Sequence, residues 1–508
     1  MKIPRLFFFV FLILISSAKI FPATILPEKV PEENSFVVHF SAEDFGACIS
    51  KIVIHTENKI MPQSVHSSDF VVKRMTRKTG KRIYIEKFNS EIECSDAFVS
   101  DENGNKIESE SNFVTLSFDI RPENFRTLNV LTTGLSKSVG KVDDFFSYTI
   151  INKKLGLSVK NCSGMVNKNA SRFSFGVYDG VVIEYDDDGD IDDEDEVPIN
   201  YAFFKPDSAN SASGSDSKLD GKIPLVVWFH GMGEGGKNKA SPILNAKVTN
   251  LASEEIQSKF PNGFCILAPQ CPTGWLMVSE RTIGGIHYWA PVDKDKVKNK
   301  ISGGMKSAKD TVTMPMRFLK QKVRQAFTGS PVSDDEDETE TEEEKIPFGS
   351  FSYYTFLMKD LIDSVISENP EIDTSRIFVG GCSAGGYMTL NMILVFRYFF
   401  RAAFPTCEFY LDSKITDEQI QFLSSFPIFF TYAKNDTTVD PLKATIPTIE
   451  RMKKNGAKDF RCTEYEDVHD TSGRFFGEDG SAYQYEGHAS WIYTLNNDNG
   501  IFDWLSQF

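Results

Sequence analysis

A serine flanked by glycines, Ser383, stands between an apolar run and an apolar helical pattern. The run covers residues 377–379, residues 381–385 read G-C-S-A-G, and the helical pattern begins at Tyr387. A strand, a sharp turn and a helix in this order expose a serine hydroxyl at the carboxyl edge of a sheet, where it can attack a carbonyl carbon. The N–H of Ala384 would then bind the oxyanion. The alternative is a structural serine in a glycine-rich turn, since five-residue matches also arise by chance.

A second glycine-rich turn follows an apolar run upstream. Residues 223–229 are typical of a strand buried on both faces, and residues 230–236 read HGMGEGG. Hydrolases with a serine elbow place their other oxyanion donor in a loop after such a strand, and the N–H of Met232 is our candidate. A phosphate-binding loop is excluded because neither a Gly-Lys-Ser/Thr nor a dinucleotide fingerprint is present.

The acid and the base of such a site must come later in the chain. Residues 426–433 predict a buried strand, and Asp436 in the following loop could hold an imidazole in one tautomer, with Asp440 in reserve. Only His469 and His488 remain downstream. Both satisfy the order serine, aspartate, histidine, and spacing alone does not separate them.

An aromatic segment lies between the glycine-rich turn and the serine. Trp275, His287 and Trp289 should reach the same carboxyl edge of the sheet. Trp275 and Trp289 could line a substrate pocket or pack a loop, and both interpretations stay open.

The cysteines exclude one class of chemistry. Eight are present, and none forms a CxxC pair or a Cys/His cluster at metal-ligand spacing. We therefore expect neither a metal nor a cofactor. Cys265 and Cys271 are the most local pair that an oxidising compartment could bridge. Cys382, beside the serine, is predicted to be a small buried residue.

The net charge of −16 comes from two acidic runs. Nine acidic residues lie in residues 186–196 and nine in residues 334–344, and without these eighteen the charge is +2. Since Lys and Arg are dispersed, we expect no nucleic-acid partner. Residues 184–195 also resemble a calcium loop, but with Glu first and Asp last a solvated acidic turn is the favoured interpretation.

The chain is predicted to have three parts. Residues 1–23 combine a basic start, an apolar run over residues 6–15 and small residues, as in an export signal, so we expect a periplasmic or secreted protein with no membrane span. Residues 24–140 carry short β-rich runs at the spacing of a β-sandwich. Residues 141–508 predict an α/β fold with a mostly parallel sheet and helices on both faces, with acidic, disordered insertions near 186–196 and 328–345.

Five motifs together resemble a known family. HGMGEGG, ILAPQCP, GCSAGGYMT, NDTTVDP and GHASWIYTLNN are similar to segments of the α/β-hydrolase esterases related to polyhydroxybutyrate-depolymerase-like and prolyl-oligopeptidase-like enzymes. The β-rich front half resembles the immunoglobulin-like domain that precedes such a hydrolase in certain bacterial esterases. The resemblance implies that the histidine of the GHxSW-type motif, His488, is the base. It also implies a carboxylesterase acting on short acyl esters. The acidic runs and the long insertion before Ile346 depart from the family pattern.

Several functions remain in competition at this point. An exported serine carboxylesterase using Ser383, Asp436 and His488 is the main prediction. A feruloyl or acetyl-xylan esterase is supported by the aromatic segment alone. A β-propeller would favour a prolyl-oligopeptidase-like peptidase, and no blade-length repeat is visible in the sequence. A non-catalytic surface- or carbohydrate-binding protein would be expected to lack part of the triad. The oligomeric state is not predicted.

Overall fold

The computed structural model describes most of the chain beyond the predicted export signal. The described residues are 25–75, 90–122, 128–129, 144–145, 147–185, 191–206, 222–236, 238–244, 246–272, 275, 287–288, 352 and 354–508. The export signal, the second acidic run and Trp289 lie outside them. Residues 186–190 do too, so the calcium-loop hypothesis stays a prediction. Within the described residues, helices of the length and hydropathy needed to cross a bilayer are absent.

The front half consists of short strands in two sheets. In chain order the strands are β1 (Ile25–Leu26), β2 (Ser35–Glu43), β3 (Gly46–Ile60), β4 (Val71–Met75), β5 (Ser90–Ile92), β6 (Asp96–Ser100), β7 (Ser111–Ser117), β8 (Leu128–Asn129), β9 (Asp144–Phe145), β10 (Ser147–Asn152), β11 (Leu157–Val159) and β12 (Cys162–Val166). One sheet has the order β1-β12-β2-β3-β7-β6 and the other β11-β10-β4-β5, while β8 pairs with β9. Alternate residues such as Val38, Ile52 and Val114 belong to the main hydrophobic core, and intervening residues such as Val37 and Val53 are buried as well, so the middle of this sheet is covered on both faces.

The two front sheets continue past the predicted boundary at residue 140. β10 pairs antiparallel with β4, and β12 pairs parallel with β2. Composition did not reveal these strands because the stretch before them is polar and their own runs are short. Val166 is the last residue that pairs in a front sheet.

The second half is built on one large sheet. Its strands are β13 (Phe173–Tyr185), β14 (Ile191–Phe204), β15 (Ile223–Phe229), β16 (Cys265–Gln270), β17 (His287–Tyr288), β18 (Ile372–Cys382), β19 (Ala402–Thr406), β20 (Ile428–Ala433) and β21 (Phe460–Tyr465), and a separate hairpin joins β22 (Val468–His469) to β23 (Gln484–Tyr485). The order is β17-β13-β14-β16-β15-β18-β19-β20-β21. In that order the six neighbouring strands β16, β15, β18, β19, β20 and β21 are parallel to one another. Strands β14, β13 and β17 extend the sheet beyond β16 in antiparallel fashion.

The antiparallel hairpin of β13 and β14 includes most of the first acidic run. Val182 pairs with Asp195, and Glu184 with Asp193. Residues 191–196 are therefore part of a strand and not of the insertion that their composition predicted. The register set by the apolar residues from Val197 onward continues to Asp193, since backbone pairing does not depend on side-chain charge, and it shifts by one residue before Ile191.

Helices cover both faces of the large sheet. They are α1 (Ser241–Leu244), α2 (Glu254–Gln257), α3 (Thr355–Glu368), α4 (Ala384–Val395), α5 (Asp417–Ser425), α6 (Thr445–Lys454), α7 (Trp491–Leu495) and α8 (Ile501–Leu505). Alternate residues of the strands enter two different hydrophobic cores. Val226 and Phe378 pack in one core with residues of α1 and α8, and Val227 and Val379 pack in the other with residues of helices α3, α4, α5 and α6. A parallel sheet buried on both faces accounts for the uninterrupted apolar runs of its strands. This architecture confirms the predicted α/β-hydrolase fold behind a smaller β domain.

Candidate active site

Ser383 occupies a strained turn between β18 and α4. Its backbone has φ 57° and ψ −119°, a region that residues with a Cβ rarely adopt. The Ser383 N–H donates to the carbonyl of Thr406 at 3.0 Å, and its own carbonyl accepts from the N–H of Tyr387 at 3.0 Å. These bonds hold the turn on both sides, which places the hydroxyl at the carboxyl edge of the sheet.

The turn requires glycine at position 385. A Cβ added there would lie 2.0 Å from the carbonyl oxygen of Phe229 and 2.6 Å from that of His230. Both atoms are backbone and cannot move aside cheaply. The close approach brings the end of β15, and with it the glycine-rich turn, against the first residues of α4.

His488 joins Ser383 to Asp436. Its Nε2 lies 2.8 Å from the Ser383 hydroxyl oxygen and its Nδ1 lies 2.7 Å from Oδ2 of Asp436. His488 belongs to the 3₁₀ turn Gly487–Ala489, which follows β23 and precedes α7. A Cβ on Gly487 would meet the Asn435 carbonyl oxygen at 2.4 Å, so the turn packs directly onto the loop that carries Asp436.

The Asp436 carboxylate is buried and oriented by the backbone. Its side chain is 2% exposed, and its Oδ1 accepts from the N–H groups of Thr438 and Val439 at 2.9 and 2.8 Å. Oδ2 is thereby left for His488, which would fix the tautomer with the proton on Nδ1 and the lone pair of Nε2 toward the serine. Thr438 also donates to Glu486 at 3.0 Å, which ties the aspartate loop to the histidine turn.

The two alternative candidates, Asp440 for the acid and His469 for the base, contact other residues. Asp440 accepts from the N–H of Leu442 and pairs with Lys443 at 3.1 Å. His469 binds Asp467 through Nδ1 at 2.8 Å, and its ring also approaches the hydroxyl of Tyr493. The structure therefore brings Ser383, Asp436 and His488 together and leaves the other pair outside that chain of contacts.

The glycine-rich turn is fixed by His230, a residue that sequence reasoning quoted in the motif without assigning a role. Its Nε2 accepts from the N–H of Cys271 at 3.0 Å, so its Nδ1 carries the proton and donates to the Gly231 carbonyl. Met232 begins the 3₁₀ turn Met232–Glu234 directly afterwards. The turn lies beside the start of α4, because a Cβ added at Gly385 would lie 2.6 Å from the His230 carbonyl oxygen.

Trp275 packs against the same glycine-rich turn. It has no exposed surface, its indole N–H donates to the His230 carbonyl at 2.8 Å, and its ring packs edge-on against Phe229. The structure thus favours packing over an exposed pocket wall for Trp275. Local aromatic content could not separate these roles, because burial depends on the neighbouring strands. The other predicted pocket residue, Trp289, lies outside the described residues.

Two thiols border the serine, and neither competes with it. Cys382 and Cys407 are buried, and burial raises the pKa of both thiols well above the usual range. The thiolate is the nucleophilic form, so these side chains act as small apolar residues. None of the eight cysteines, all of which are described residues, forms a disulfide in the structure, and this includes Cys265 and Cys271, the most local possible pair.

Glu408 is a buried carboxyl group beside the site that sequence reasoning did not single out. It follows β19 after one residue, lies against Gly386 of α4, and accepts from the hydroxyl of Thr445 at 2.9 Å and from the N–H of Tyr410. Burial raises its pKa to about 7, against these hydrogen bonds. Its position just after a buried strand, next to the serine strand, is the signal that could have found it.

Metal ligation finds no support in the part of the chain that the structure describes. In those ranges His, Cys, Asp and Glu side chains nowhere gather in a group of three that could hold an ion. Ser383, His488 and Asp436 carry the groups that could act as nucleophile, base and orienting acid, the set that acyl transfer needs.

Comparisons with known proteins divide the chain in the same way. The model of the "Esterase Ig-like N-terminal domain" matches residues 40–161. The model of the "Phospholipase/Carboxylesterase" family matches residues 336–478, which include Ser383 and Asp436 and end before His488. No curated protein matches the chain.

Several solved structures are similar to this chain. A thermostable esterase, at 19% identity and a TM-score of 0.54, covers 93% of this chain over 99% of its own. A ferulic acid esterase is 11% identical with a TM-score of 0.35, covering 66% of this chain and 99% of its own. The acetyl xylan esterase of Paenibacillus sp. R4 is 16% identical with a TM-score of 0.26, covering 58% and 78%. The first match extends through both halves and shows their shared fold.

Proposed function

Because this chain is an esterase of the α/β-hydrolase superfamily with an immunoglobulin-like domain at its amino terminus, we propose that it is an exported carboxylesterase acting on short-chain acyl esters. One observation carries the proposal: Ser383, His488 and Asp436 form a continuous hydrogen-bonded chain, with contacts of 2.8 and 2.7 Å, at a strained strand-to-helix turn. Export is supported by the sequence of residues 1–23, and the short acyl group by the family resemblance.

The proposed reaction begins with proton transfer. His488 Nε2 takes the proton of the Ser383 hydroxyl as its oxygen attacks the ester carbonyl carbon, and the imidazolium is stabilised by Asp436. The tetrahedral intermediate collapses when His488 gives this proton to the leaving alcohol, which breaks the ester C–O bond. The acyl group is left on Ser383. Water then attacks with His488 again as base, and the carboxylic acid leaves as the serine regains its proton.

The proposed oxyanion donors come from two elements. Ala384 contributes the N–H at the start of α4, where four backbone donors lack partners within the helix and the helix dipole favours negative charge. Met232 contributes an N–H from the turn after β15. The close contact between Gly385 and Phe229 is what holds these two elements side by side. Donors that are fixed before the reaction need no reorganisation when charge develops.

Hydrolysis of p-nitrophenyl acetate, butyrate and laurate by the purified chain tests the proposal. We expect turnover of the acetate and butyrate esters, weak turnover of laurate, and none above background in Ser383→Ala. If a feruloyl ester or an acetylated xylan is cleaved far faster than either short ester, the substrate is of that class and not a short-chain acyl ester. Full activity of Ser383→Ala, or cleavage of a prolyl peptide but of no ester, would contradict it.

A further inference from the structure

The hairpin between β2 and β3 of the front domain reaches onto the second half of the chain. Its tip, Glu43, Asp44 and Phe45, is called here the hairpin tip. The side chains of Glu43 and Asp44 are 5% and 3% exposed. Carboxylates this buried are costly unless a charge and hydrogen bonds compensate them, and the compensating groups lie on the hydrolase half. The contact is therefore specific in position and not a loose docking of two domains.

Glu43 and Phe45 hold one particular segment. Arg474 Nη1 and Nη2 lie 3.0 and 3.4 Å from the two oxygens of Glu43. The Phe45 ring packs edge-on against Phe475, with centroids 5.1 Å apart, and in parallel against Tyr485 at 6.5 Å. Paired aromatic contacts and a forked guanidinium contact both fix orientation as well as distance.

Asp44 fixes the hairpin tip to the body of the hydrolase half. Its Oδ1 receives Lys247 Nζ at 3.1 Å and the side-chain amide of Asn496 at 3.2 Å. Lys247 in turn donates to the amide oxygen of Asn496 at 3.2 Å. Glu43 and Phe45 thus act from a base that is itself held in place.

The segment that the hairpin tip holds leads to His488. Residues 468–487, called here the histidine arm, contain β22 and β23, which pair at Val468 and Tyr485. Within it Asp470 accepts from the N–H groups of Arg474 and Phe475 at 3.2 and 3.5 Å, which shapes the turn facing the hairpin tip. Tyr485, which touches Phe45, stands three residues before His488.

We propose that the hairpin tip of the front domain positions His488 for proton transfer by holding the histidine arm. The inference rests on the proposed function, since it concerns the base of that reaction. The two hydrogen bonds of His488 tolerate little displacement, and Tyr485, which the Phe45 ring contacts, stands only three residues before His488 in the chain. A misplacement of about 1 Å at a reacting group can cost on the order of 100-fold in rate. Phe45 and Glu43 are positioning residues, and the front domain is part of the working enzyme.

Phe45→Ala in the full chain tests the inference, with Phe113→Ala as its matched control. Phe113 is an aromatic residue of the same sheet. It pairs with His55 and stacks on its ring, and His55 lies in the half of β3 that is far from the hairpin tip. For p-nitrophenyl butyrate we expect Phe45→Ala to lower kcat about tenfold with KM changed less than about twofold, and Phe113→Ala to change neither by more than about twofold. Rates are expressed per active serine, titrated with a fluorophosphonate, so loss of folded protein does not count.

Two further variants separate positioning from general stability. Phe45→Tyr keeps the ring and should retain most of kcat, whereas Glu43→Gln keeps the shape without the charge and should lower kcat by a smaller factor. Hydrogen exchange in residues 470–487 should be faster in Phe45→Ala than in Phe113→Ala.

The outcomes distinguish this inference from the proposed function. Wild-type kcat per active serine in both Phe45→Ala and Glu43→Gln overturns the inference while leaving the esterase in place, and so does an equal loss in Phe113→Ala. Absence of ester hydrolysis by the wild type overturns the proposed function itself. Faster exchange in the histidine arm with unchanged kcat also overturns the inference, because the contact would then be structural only.

Discussion

Among the described residues, two histidine–aspartate pairs have nearly the same contact distance and very different surroundings. His488 and Asp436 meet at 2.7 Å with side chains 11% and 2% exposed. His469 and Asp467 meet at 2.8 Å with both side chains 42% exposed. The distance between the partners therefore does not distinguish the two pairs. Burial strengthens the electrostatic contact in the first pair, whereas water screens the second.

The pairs differ also in what lies beyond the imidazole. The second ring nitrogen of His488 faces the Ser383 hydroxyl, while the ring of His469 approaches the hydroxyl of Tyr493 through the same nitrogen that binds Asp467. Tyr493 is itself stacked on Tyr465. The first pair ends at the Ser383 hydroxyl in a strained turn, and the second ends at a packed aromatic group. The comparison predicts four effects, from the largest to the smallest.

Replacing each histidine should separate the pairs most strongly. We expect His488→Ala to lower kcat/KM for p-nitrophenyl butyrate by on the order of 10⁴-fold, because the serine loses its base. His469→Ala should stay within about twofold of the wild type, since a partly exposed pair contributes about 1 kcal/mol or less to stability. Equal losses in the two variants, measured by steady-state kinetics on folded protein, would remove the distinction.

The aspartates should follow the same order with a smaller gap. Asp436→Asn leaves the shape of the site but offers no negative charge to Nδ1 of His488, so kcat should fall by on the order of 10³-fold or more. Asp467→Asn is its matched control and should leave kcat unchanged. Steady-state kinetics of both variants measures these values of kcat. A loss of kcat of less than about tenfold in Asp436→Asn would indicate that another acid orients His488.

Backbone constraint should differ between the regions as well. In Gly385→Ala the new Cβ would meet the Phe229 carbonyl at 2.0 Å, so we expect a loss of roughly 3 kcal/mol in the free energy of unfolding. Gly473, in the histidine arm after His469, has φ 68° with nothing within 4 Å of an added Cβ, so Gly473→Ala should cost only about 1 kcal/mol. Denaturant unfolding of both variants measures the difference, which should vanish if the contact at Gly385 can relax.

The carboxyl group near the buried pair should give the smallest effect, visible as a dependence on pH. Because the pKa of Glu408 is raised to about 7 from the usual 4.5, the folded protein keeps a proton that the unfolded chain releases. This stabilisation is complete below about pH 4.5 and is lost as the pH rises through about 7.

Unfolding measured at pH 5 and pH 8 tests this expectation. Between these values the wild type should lose roughly 2 to 3 kcal/mol more than Glu408→Gln, which has no proton to lose. Glu466→Gln, at a side chain 82% exposed, is the control and should follow the wild type. Parallel pH curves for the wild type and Glu408→Gln would show that Glu408 is charged in the folded state.

Local sequence pattern predicted the parts of the site that depend on neighbouring residues. The strand, the turn around Ser383 and the helix after it are read from apolar periodicity and glycine spacing, and β20 with its aspartate loop from an apolar run. The choice between His469 and His488 was different, because both lie near predicted elements and in the same chain order. Only the family resemblance favoured His488, and only the fold shows which imidazole reaches Asp436.

Features that depend on distant residues escaped the sequence. The sequence left open whether Trp275 lines a pocket or packs a loop, because its burial under the glycine-rich turn is set by strands far away in the chain. The pairing of β12 with β2 joins residues more than a hundred positions apart, which no local periodicity reports. The hairpin tip is an ordinary polar turn by composition, and its contact with Arg474 became visible only in three dimensions.

The most direct test of whether Ser383 is a nucleophile activated by His488 is covalent modification with a fluorophosphonate ester. Mass spectrometry of the digested chain then identifies the modified residue. We expect one adduct, on Ser383, formed as fast in His469→Ala as in the wild type and far more slowly in His488→Ala. An adduct on another residue, or labelling of Ser383 that depends on His469 and not on His488, would contradict it.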